Sequence, residues 1–316
     1  MSAYIAGRLA ATVPVLLGIS VLVFVLLRLT PGDPAVVIAG PQASREELAL
    51  VRHALGLDQP LPVQFVLWLG HAVQGDLGRS SQLGVPVGPL VLEKFKNTAL
   101  LAVASLALAL AVALPSGILS AVFRRSGFDH GVMTLTLLAN CMPPFWTGLM
   151  LILVFASGLR WLPTGGMQDV LGGGGPGDVA RHLVLPALTL GLPATAMIAR
   201  MLRSSMLDVL KLDHLRTARA KGLGERVVIV RHAVKLALLP VITVVGIRFG
   251  YLLGGAAITE TVFRWPGVGL QLYEAIGSRD YAFVQGAVLL VATIFVLLNL
   301  TVDLVYAVVD PRIRYR

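Results

Sequence analysis

Seven consecutive residues, Arg216-Thr217-Ala218-Arg219-Ala220-Lys221-Gly222, bring together positive charge, small side chains and a helix-breaking glycine. That combination suits contact with another protein better than it suits catalysis. They sit inside a basic stretch from Ser204 to Lys235 that also carries Lys211, Arg226, Arg231 and Lys235. Apolar residues Met206, Leu207, Leu210, Leu215 and Ala218 recur there at helical spacing. Gly222 and Gly224 then end the pattern, because glycine enters the left-handed region without a steric penalty. The spacing predicts two short amphipathic helices joined at a glycine turn, an elbow offered to a soluble partner.

A second candidate is Arg248, set in the apolar run VVGIRFGYLLGG. An arginine in the middle of a membrane span costs about 2.5 to 3.5 kcal/mol on insertion scales, so it must face protein or water. One account pairs it with a carboxylate of this chain or a neighbour, or lets it snorkel toward water. The other places it on a solute path, where guanidinium attracts a carboxylate in bidentate fashion. Gly246, Gly250, Gly254 and Gly255 permit close approach beside it, and Asp303 is a weak partner because it lies toward one end of its own span.

Other chemistry is missing from the sequence. There is no G-x-x-x-x-G-K-[ST] phosphate cradle, no G-x-S-x-G, no H-E-x-x-H and no intramembrane acid pair, so no catalytic role is expected and any ATP chemistry belongs to another chain. The run Gly172 to Gly175 with Pro176-Gly177 reads as a flexible external loop. Cys141 is the single cysteine, which excludes an internal disulfide and a cysteine-based metal site. His53, His71, His130, His182, His214 and His232 read as solvated or interfacial residues scattered over loops without ligand spacing. No metal site is expected.

These residues need elements to hold them, and composition says which. The chain is 56% hydrophobic, 14% charged and has a mean hydropathy of +0.81 over 316 residues, outside the range of a soluble domain. An all-α membrane protein follows. Segments long enough to cross about 30 Å of hydrocarbon are Leu9 to Leu29, Asn97 to Phe123, Gly131 to Leu159, Leu183 to Ala199, Leu236 to Thr259 and Tyr281 to Val309, six transmembrane helices. Arg28, Arg248 and Asp303 are their only charges. Met142-Pro143-Pro144 predicts a kink in the third, where backbone donors are lost. Met1 to Leu29 outruns a signal-peptide core and lacks a small-x-small cleavage site, so it reads as a retained span.

Charge sets the orientation. With the N-terminus inside, Arg8, Arg124, Arg125, Arg200, Arg203, the basic loop, Arg312, Arg314 and Arg316 all fall on the cytoplasmic side, which puts both termini there. The net charge of +9 then reflects topology, with anionic membrane lipid and partner subunits as counterparts and no nucleic acid. Thr30 to Lys96 becomes an external region. It opens on Pro31-Gly32-Asp33-Pro34, a turn by composition, and Ser44 with Glu47 forms a capping box for a helix to about Leu55. Leu61, Phe65, Trp68, Leu69 and Ala72 predict a second amphipathic helix lying on the membrane or on its neighbours.

Six short motifs in order then carry a family likeness: Pro31-Gly32-Asp33-Pro34, Leu55-Gly56-Leu57-Asp58-Gln59-Pro60, Gly75-Asp76-Leu77-Gly78, Leu162-Pro163-Thr164-Gly165-Gly166, Arg216 to Gly222, and Val262-Phe263-Arg264-Trp265-Pro266-Gly267 followed by Arg279-Asp280-Tyr281. Over essentially its whole length the chain resembles the first permease subunit of bacterial peptide, nickel and glutathione ABC importers, the dipeptide/oligopeptide B-type permease. The resemblance implies a type I importer fold in the bacterial cytoplasmic (inner) membrane. It also implies a second homologous permease subunit, two cytoplasmic ATPases holding ATP and Mg, and an extracytoplasmic solute-binding protein. Residues 1–30 would form the first transmembrane helix, 31–96 the external (periplasmic) region, and 97–316 a five-helix permease core with a cytoplasmic coupling loop at 203–235. The coupling motif E-A-A-x-x-x-G aligns with Arg216 to Gly222, with Arg216 in place of the acid and Thr217 in place of the first alanine. The implied cargo is a dipeptide, oligopeptide or glutathione, moved by alternating access; a nickel chelate is the alternative, mildly disfavoured because the spans contain no histidine. A secondary transporter would need more intramembrane titratable groups than Arg248 and Asp303, and a purely structural subunit would not co-purify with ATPases.

Overall fold

A computed structural model describes residues 2–29, 34–40, 42–54, 56–169, 174–254 and 256–309. Pro31, Gly32 and Asp33 of the expected turn, Leu55, Gly172, Gly173, Gly255, the C-terminal arginines and the Asp303 side chain lie outside that description. Helices run as α1 (Ser2–Leu29), α2 (Pro34–Ala39), α3 (Arg45–Ala54), α4 (Leu61–Val73), α5 (Val87–Val122), α6 (Gly127–Cys141), α7 (Pro144–Leu151), α8 (Pro176–Val209), α9 (Asp213–Ala220), α10 (Glu225–Val227), α11 (Val234–Gly254), α12 (Ala257–Phe263), α13 (Val268–Gly277) and α14 (Tyr281–Val309). π-helical turns extend α7 over Ile152–Gly158 and join α10 to α11 over Val228–Ala233. Among the described residues the extended pairing is a single bridge, Arg79 to Pro86.

Among the described residues five helical stretches are long and apolar enough to span a membrane, and α6 with α7 and its π-helical extension form an apolar pair bent by 107°, the geometry of a broken span or a re-entrant loop. The bend follows from the two prolines. Met142 and Pro143 each precede a proline and are driven out of the helical region, to ψ 127° and 135°, while Pro144 opens α7 at the one position where a missing N–H is harmless. The expected kink is therefore a full break.

Several boundaries move. α5 starts ten residues before the expected Asn97, because Val87, Leu90, Val91 and Phe95 continue its apolar face through the charged Glu93-Lys94 turn. At 36 residues it is roughly 54 Å long. α8 is twice the expected length. Pro176 and Gly177, expected in a flexible loop, form its first turn, where proline's fixed φ suits a helix start. The expected end of the fifth span and the loop after it are instead two short helices, α12 and α13.

The described chain divides into two compact units, residues 1–97 with 266–316, and residues 98–265. In the first, α1 packs on α14, and Phe24 of α1 meets Phe65 and Trp68 of α4 with ring centroids 5.4 and 6.0 Å apart. α4 thus lies on its neighbour α1, although Leu61 turns outward. Ser44 and Glu47 form the capping box: the Ser44 amide donates to Glu47 Oε2 at 2.8 Å and the Glu47 amide to Ser44 Oγ at 3.2 Å. The segment just after Gly78 is joined to the Arg279-Asp280-Tyr281 motif here as well. Asp280 accepts the Ser80 hydroxyl and the Ser81 amide while also capping α14 through the Phe283 amide.

In the second unit α8 is central, packed on α6, α7 and α11. Small residues set the approach of α5 to α8. A Cβ on Gly191 would lie 2.8 Å from the Ser105 carbonyl oxygen, and one on Gly117 would lie 2.9 Å from that of Ala199, so a glycine on each helix is needed where backbones touch. Leu162 to Gly166 lies on the buried Phe263: the Gly166 amide donates to the Phe263 carbonyl at 2.8 Å, and a Cβ on Gly165 would stand 2.4 Å from that oxygen. Trp265 beyond it is fully buried with Leu101 and Ala187.

Candidate functional site

The seven residues 216–222 fall on α9 and the turn that ends it. Leu215 is fully buried in a cluster with Met206, Val209, Val228 and Ala233, and Ala218, one turn on, packs against the same cluster. This leaves Arg216, Thr217, Arg219, Ala220, Lys221 and Gly222 exposed on the outer surface. Ala218 therefore serves the chain's own core, and Ala220 is the small side chain turned outward.

The turn is a Schellman motif. Lys221 is the C-cap, the Gly222 amide donates to the Arg219 carbonyl at 2.9 Å and the Leu223 amide to the Ala218 carbonyl at 3.3 Å. Gly222 adopts φ +81°, and a Cβ there would meet nothing within 4 Å, so backbone conformation alone selects glycine. Across the turn Arg219 grips Glu225 with two bonds, Nε to Oε2 at 3.0 Å and Nη2 to Oε1 at 2.8 Å. That pair raises the pKa of Arg219 above its ordinary value. The second amphipathic helix of the expected elbow is not separate. Glu225 begins a continuous helical run into α11, because the apolar residues from Val227 onward join the span without a breaker. Met206 and Leu207 likewise belong to the end of α8, so the projecting piece is shorter than 203–235.

At the root of this projection lies a pair that the sequence reading missed. Arg203 of α8 donates Nε to Asp129 Oδ1 at 2.6 Å and Nη2 to Asp129 Oδ2 at 2.7 Å, with Asp129 nearly fully buried at the start of α6. The Asp129 amide in turn donates to the Ser126 hydroxyl, and Asp129 Oδ2 accepts the Arg125 amide. Ser126-x-x-Asp129 was a visible capping signature, but nothing local pointed 74 residues onward to Arg203.

Arg248 lies on α11, half-buried, with Nε 3.0 Å from the Met197 sulfur of α8, Nη2 against the same atom, and its guanidinium 5.7 Å from the centre of the Tyr251 ring. Among the described residues of the second unit its partners are thus a thioether and an aromatic face, soft neutral groups that do not compensate its charge. The histidines expected on loops all lie on helical segments instead, and His182 also has carboxylates within reach. That residue is buried on α8, with the carboxylates of Asp178 and Asp169 close by.

Comparison with known proteins agrees over the full length. Residues 113–315 match the family described as binding-protein-dependent transport system inner membrane component, and residues 1–107 match the N-terminal domain of such membrane components. A probable peptide ABC transporter permease of Sinorhizobium fredii is 43% identical over 316 residues, covering 100% of both chains. The glutathione transport system permease GsiC of Salmonella choleraesuis is 42% identical, with 99% of each chain covered. The di/tripeptide transport system permease DppB of Pseudomonas aeruginosa is 43% identical, with 100% of each covered. Among solved structures, the inward-facing MetNI methionine ABC transporter superposes with a TM-score of 0.56 at 20% identity, over 70% of this chain and 96% of that one, a likeness of fold.

Proposed function

The chain belongs to the family of binding-protein-dependent transport system inner membrane components, and on that footing we propose that it is a permease subunit of an ATP-driven importer for peptides, whether dipeptide, oligopeptide or glutathione. The observation that carries the proposal is the end-to-end match to relatives named for peptide, di/tripeptide and glutathione transport. The chain forms half of the translocation pathway and catalyses nothing itself. A second permease subunit forms the other half, two ATPases bearing ATP and Mg bind on the cytoplasmic side, and a solute-binding protein delivers cargo from outside.

The outer surface of α9, from Arg216 to Gly222, docks on an ATPase. Its inner face is already committed to Leu215 and Ala218, so movement imposed on α9 passes directly into the cluster that holds α8, α11 and the turn between them. The Arg219–Glu225 pair and the Schellman turn keep α9 at a fixed angle to the run that leads into α11. The Arg203–Asp129 pair carries the same displacement to α6. ATP binding closes the ATPase dimer, and these links open the permease pair outward; hydrolysis resets it. Arg248, uncompensated on α11, faces the path and draws in the peptide carboxylate.

Reconstitution tests the whole proposal. Co-expressed with its operon partners and placed in liposomes, the chain should co-purify with two ATPases and a second permease. Peptide-loaded binding protein should then stimulate ATP hydrolysis and peptide uptake. Stimulation by a nickel chelate but by no peptide would transfer the chain to the alternative cargo, and absence of any ATPase from the purified complex would refute the importer assignment.

A further inference from the structure

His182 occupies the second turn of α8 with its side chain only 3% exposed. Its Nδ1 stands 3.0 Å from the backbone carbonyl of Asp178 and 3.3 Å from Asp178 Oδ1, so both neighbours of that nitrogen are acceptors. Nδ1 therefore carries the proton in the neutral ring, and Nε2 presents its lone pair. Opposite Nε2, at 3.6 Å, lies Asp169 Oδ1, another acceptor, too far away for a hydrogen bond. Two lone pairs face each other across a gap. The Asp169 amide donates to Asp178 Oδ2 at 2.7 Å, which holds Asp169 beside the helix, and ligand atoms of the three residues all lie within 4.8 Å of one another.

From this arrangement we propose that Asp169, Asp178 and His182 bind a divalent transition-metal ion of the zinc class. An imidazole nitrogen and a carboxylate oxygen that share one ion at about 2.0 to 2.2 Å stand about 3 to 3.6 Å apart, the separation seen here. The other ring nitrogen already has the partner that a metal-bound histidine requires, since donation to a carbonyl or carboxylate fixes the tautomer and turns Nε2 toward the ion. Imidazole with carboxylates selects zinc and its neighbours over calcium or magnesium, which prefer oxygen alone. Asp169 is 63% exposed and Asp178 17%, so an ion can enter from solvent while His182 stays packed. The ion would staple the segment after Leu162 to the first turns of α8. Leu162 packs beside Phe263, and Met167 of the same segment packs beside Trp265.

The site is independent of the cargo, and its test needs no transport. Purified full-length chain in nanodiscs is titrated with ZnCl2 by calorimetry and examined by X-ray absorption at the zinc edge. Wild type should take up one tightly held Zn2+ with one imidazole nitrogen and carboxylate oxygens in its shell. Asp169→Asn changes an exposed side chain and leaves the fold intact, and it should weaken binding by about tenfold or more. His182→Gln should abolish the imidazole signal. His53→Gln serves as the control, because His53 forms an exposed pair with Asp58 at 2.8 Å, and it should leave binding unchanged. Zinc should also raise the melting temperature of wild type but not that of Asp169→Asn. No zinc uptake by wild type, or wild-type affinity retained in Asp169→Asn and His182→Gln, would overturn the assignment.

Discussion

At the residue scale, Gly222 and Arg248 make opposite demands on their surroundings. Gly222 has open space around it and a φ of +81°, so substitution there is governed by backbone energy, on the order of 1–2 kcal/mol for an ordinary residue and more for a β-branched one. Uptake by the assembled complex should therefore fall in the order Gly, Asn, Ala, Val at this position, with membrane insertion unchanged throughout, because Asn tolerates the left-handed region. A purely steric series, in which Ala matches Gly and Asn does not, would remove the turn from the coupling path. The glycine and its role as a helix stop were legible from spacing alone. Which faces of α9 point inward was not, since Leu215 and Ala218 are fixed by a cluster drawn from α8 and the start of α11. Arg248 was legible as an outlier, but its neighbours were not: Met197 lies 51 residues away and carries no charge to advertise the contact. Because the described residues of the second unit give Arg248 a thioether and a ring instead of a carboxylate, Arg248→Gln should leave assembly intact and reduce uptake of peptides with a free C-terminus far more than uptake of amidated ones. Loss of assembly in that variant would show that a partner-chain carboxylate holds it.

At the scale of elements, the two ion pairs near α9 differ in what they do. Arg219–Glu225 is exposed, and such pairs contribute under about 1 kcal/mol, so Arg219→Ala should barely move the melting temperature. Any transport defect it shows then comes from a loosened α9 or lost contact with a partner, not from lost stability. Arg203–Asp129 joins two span ends and its carboxylate is almost dry, 4% exposed. Removing one partner strands the other charge, so Asp129→Asn should cost about 3 kcal/mol, at the low end for buried pairs because Arg203 keeps a quarter of its exposure. Arg203→Lys, which cannot reproduce the two-pronged geometry, should fall between wild type and Asp129→Asn in thermal melts of the solubilised chain. Melts that leave Asp129→Asn within experimental error of wild type would show that the pair is incidental. The spans themselves were legible as apolar runs, and the break at Met142 to Pro144 was legible from its prolines. Their ends were harder. Hydropathy stops counting at Glu93 or Asp178, whereas the helices continue through those turns because every third or fourth residue still has a core to enter.

For the molecule as a whole, the exposed surface is the informative quantity. Large apolar side chains stand out on α1 at Val21, Leu22 and Leu26, on the bent pair at Leu135, Leu137 and Leu153, and on α11 at Leu239 and Ile247. Surface of that kind needs lipid or another permease subunit to cover it. The distribution of lysine and arginine then decides which ends face the cytoplasm. On the orientation proposed from that distribution, α9 is expected inside, and α3, α4 and the Ser80–Asp280 junction are expected outside. Cys141 is the single cysteine, so a Cys141→Ser background allows one reporter thiol at a time. Glu46→Cys on α3 and Gln82→Cys beside Ser278 both put the thiol at an exposed position without touching the Ser44 cap or the Asp280 junction. Lys221→Cys does the same at the C-cap of α9. In intact cells a membrane-impermeant maleimide should label the first two and spare the third, and the third should react only once the membrane is opened. The reverse pattern would put α9 on the outer side, out of reach of any cytoplasmic ATPase, and the coupling role of residues 216–222 would fall with it. Labelling of all three in intact cells would show a leaky membrane or a misinserted chain.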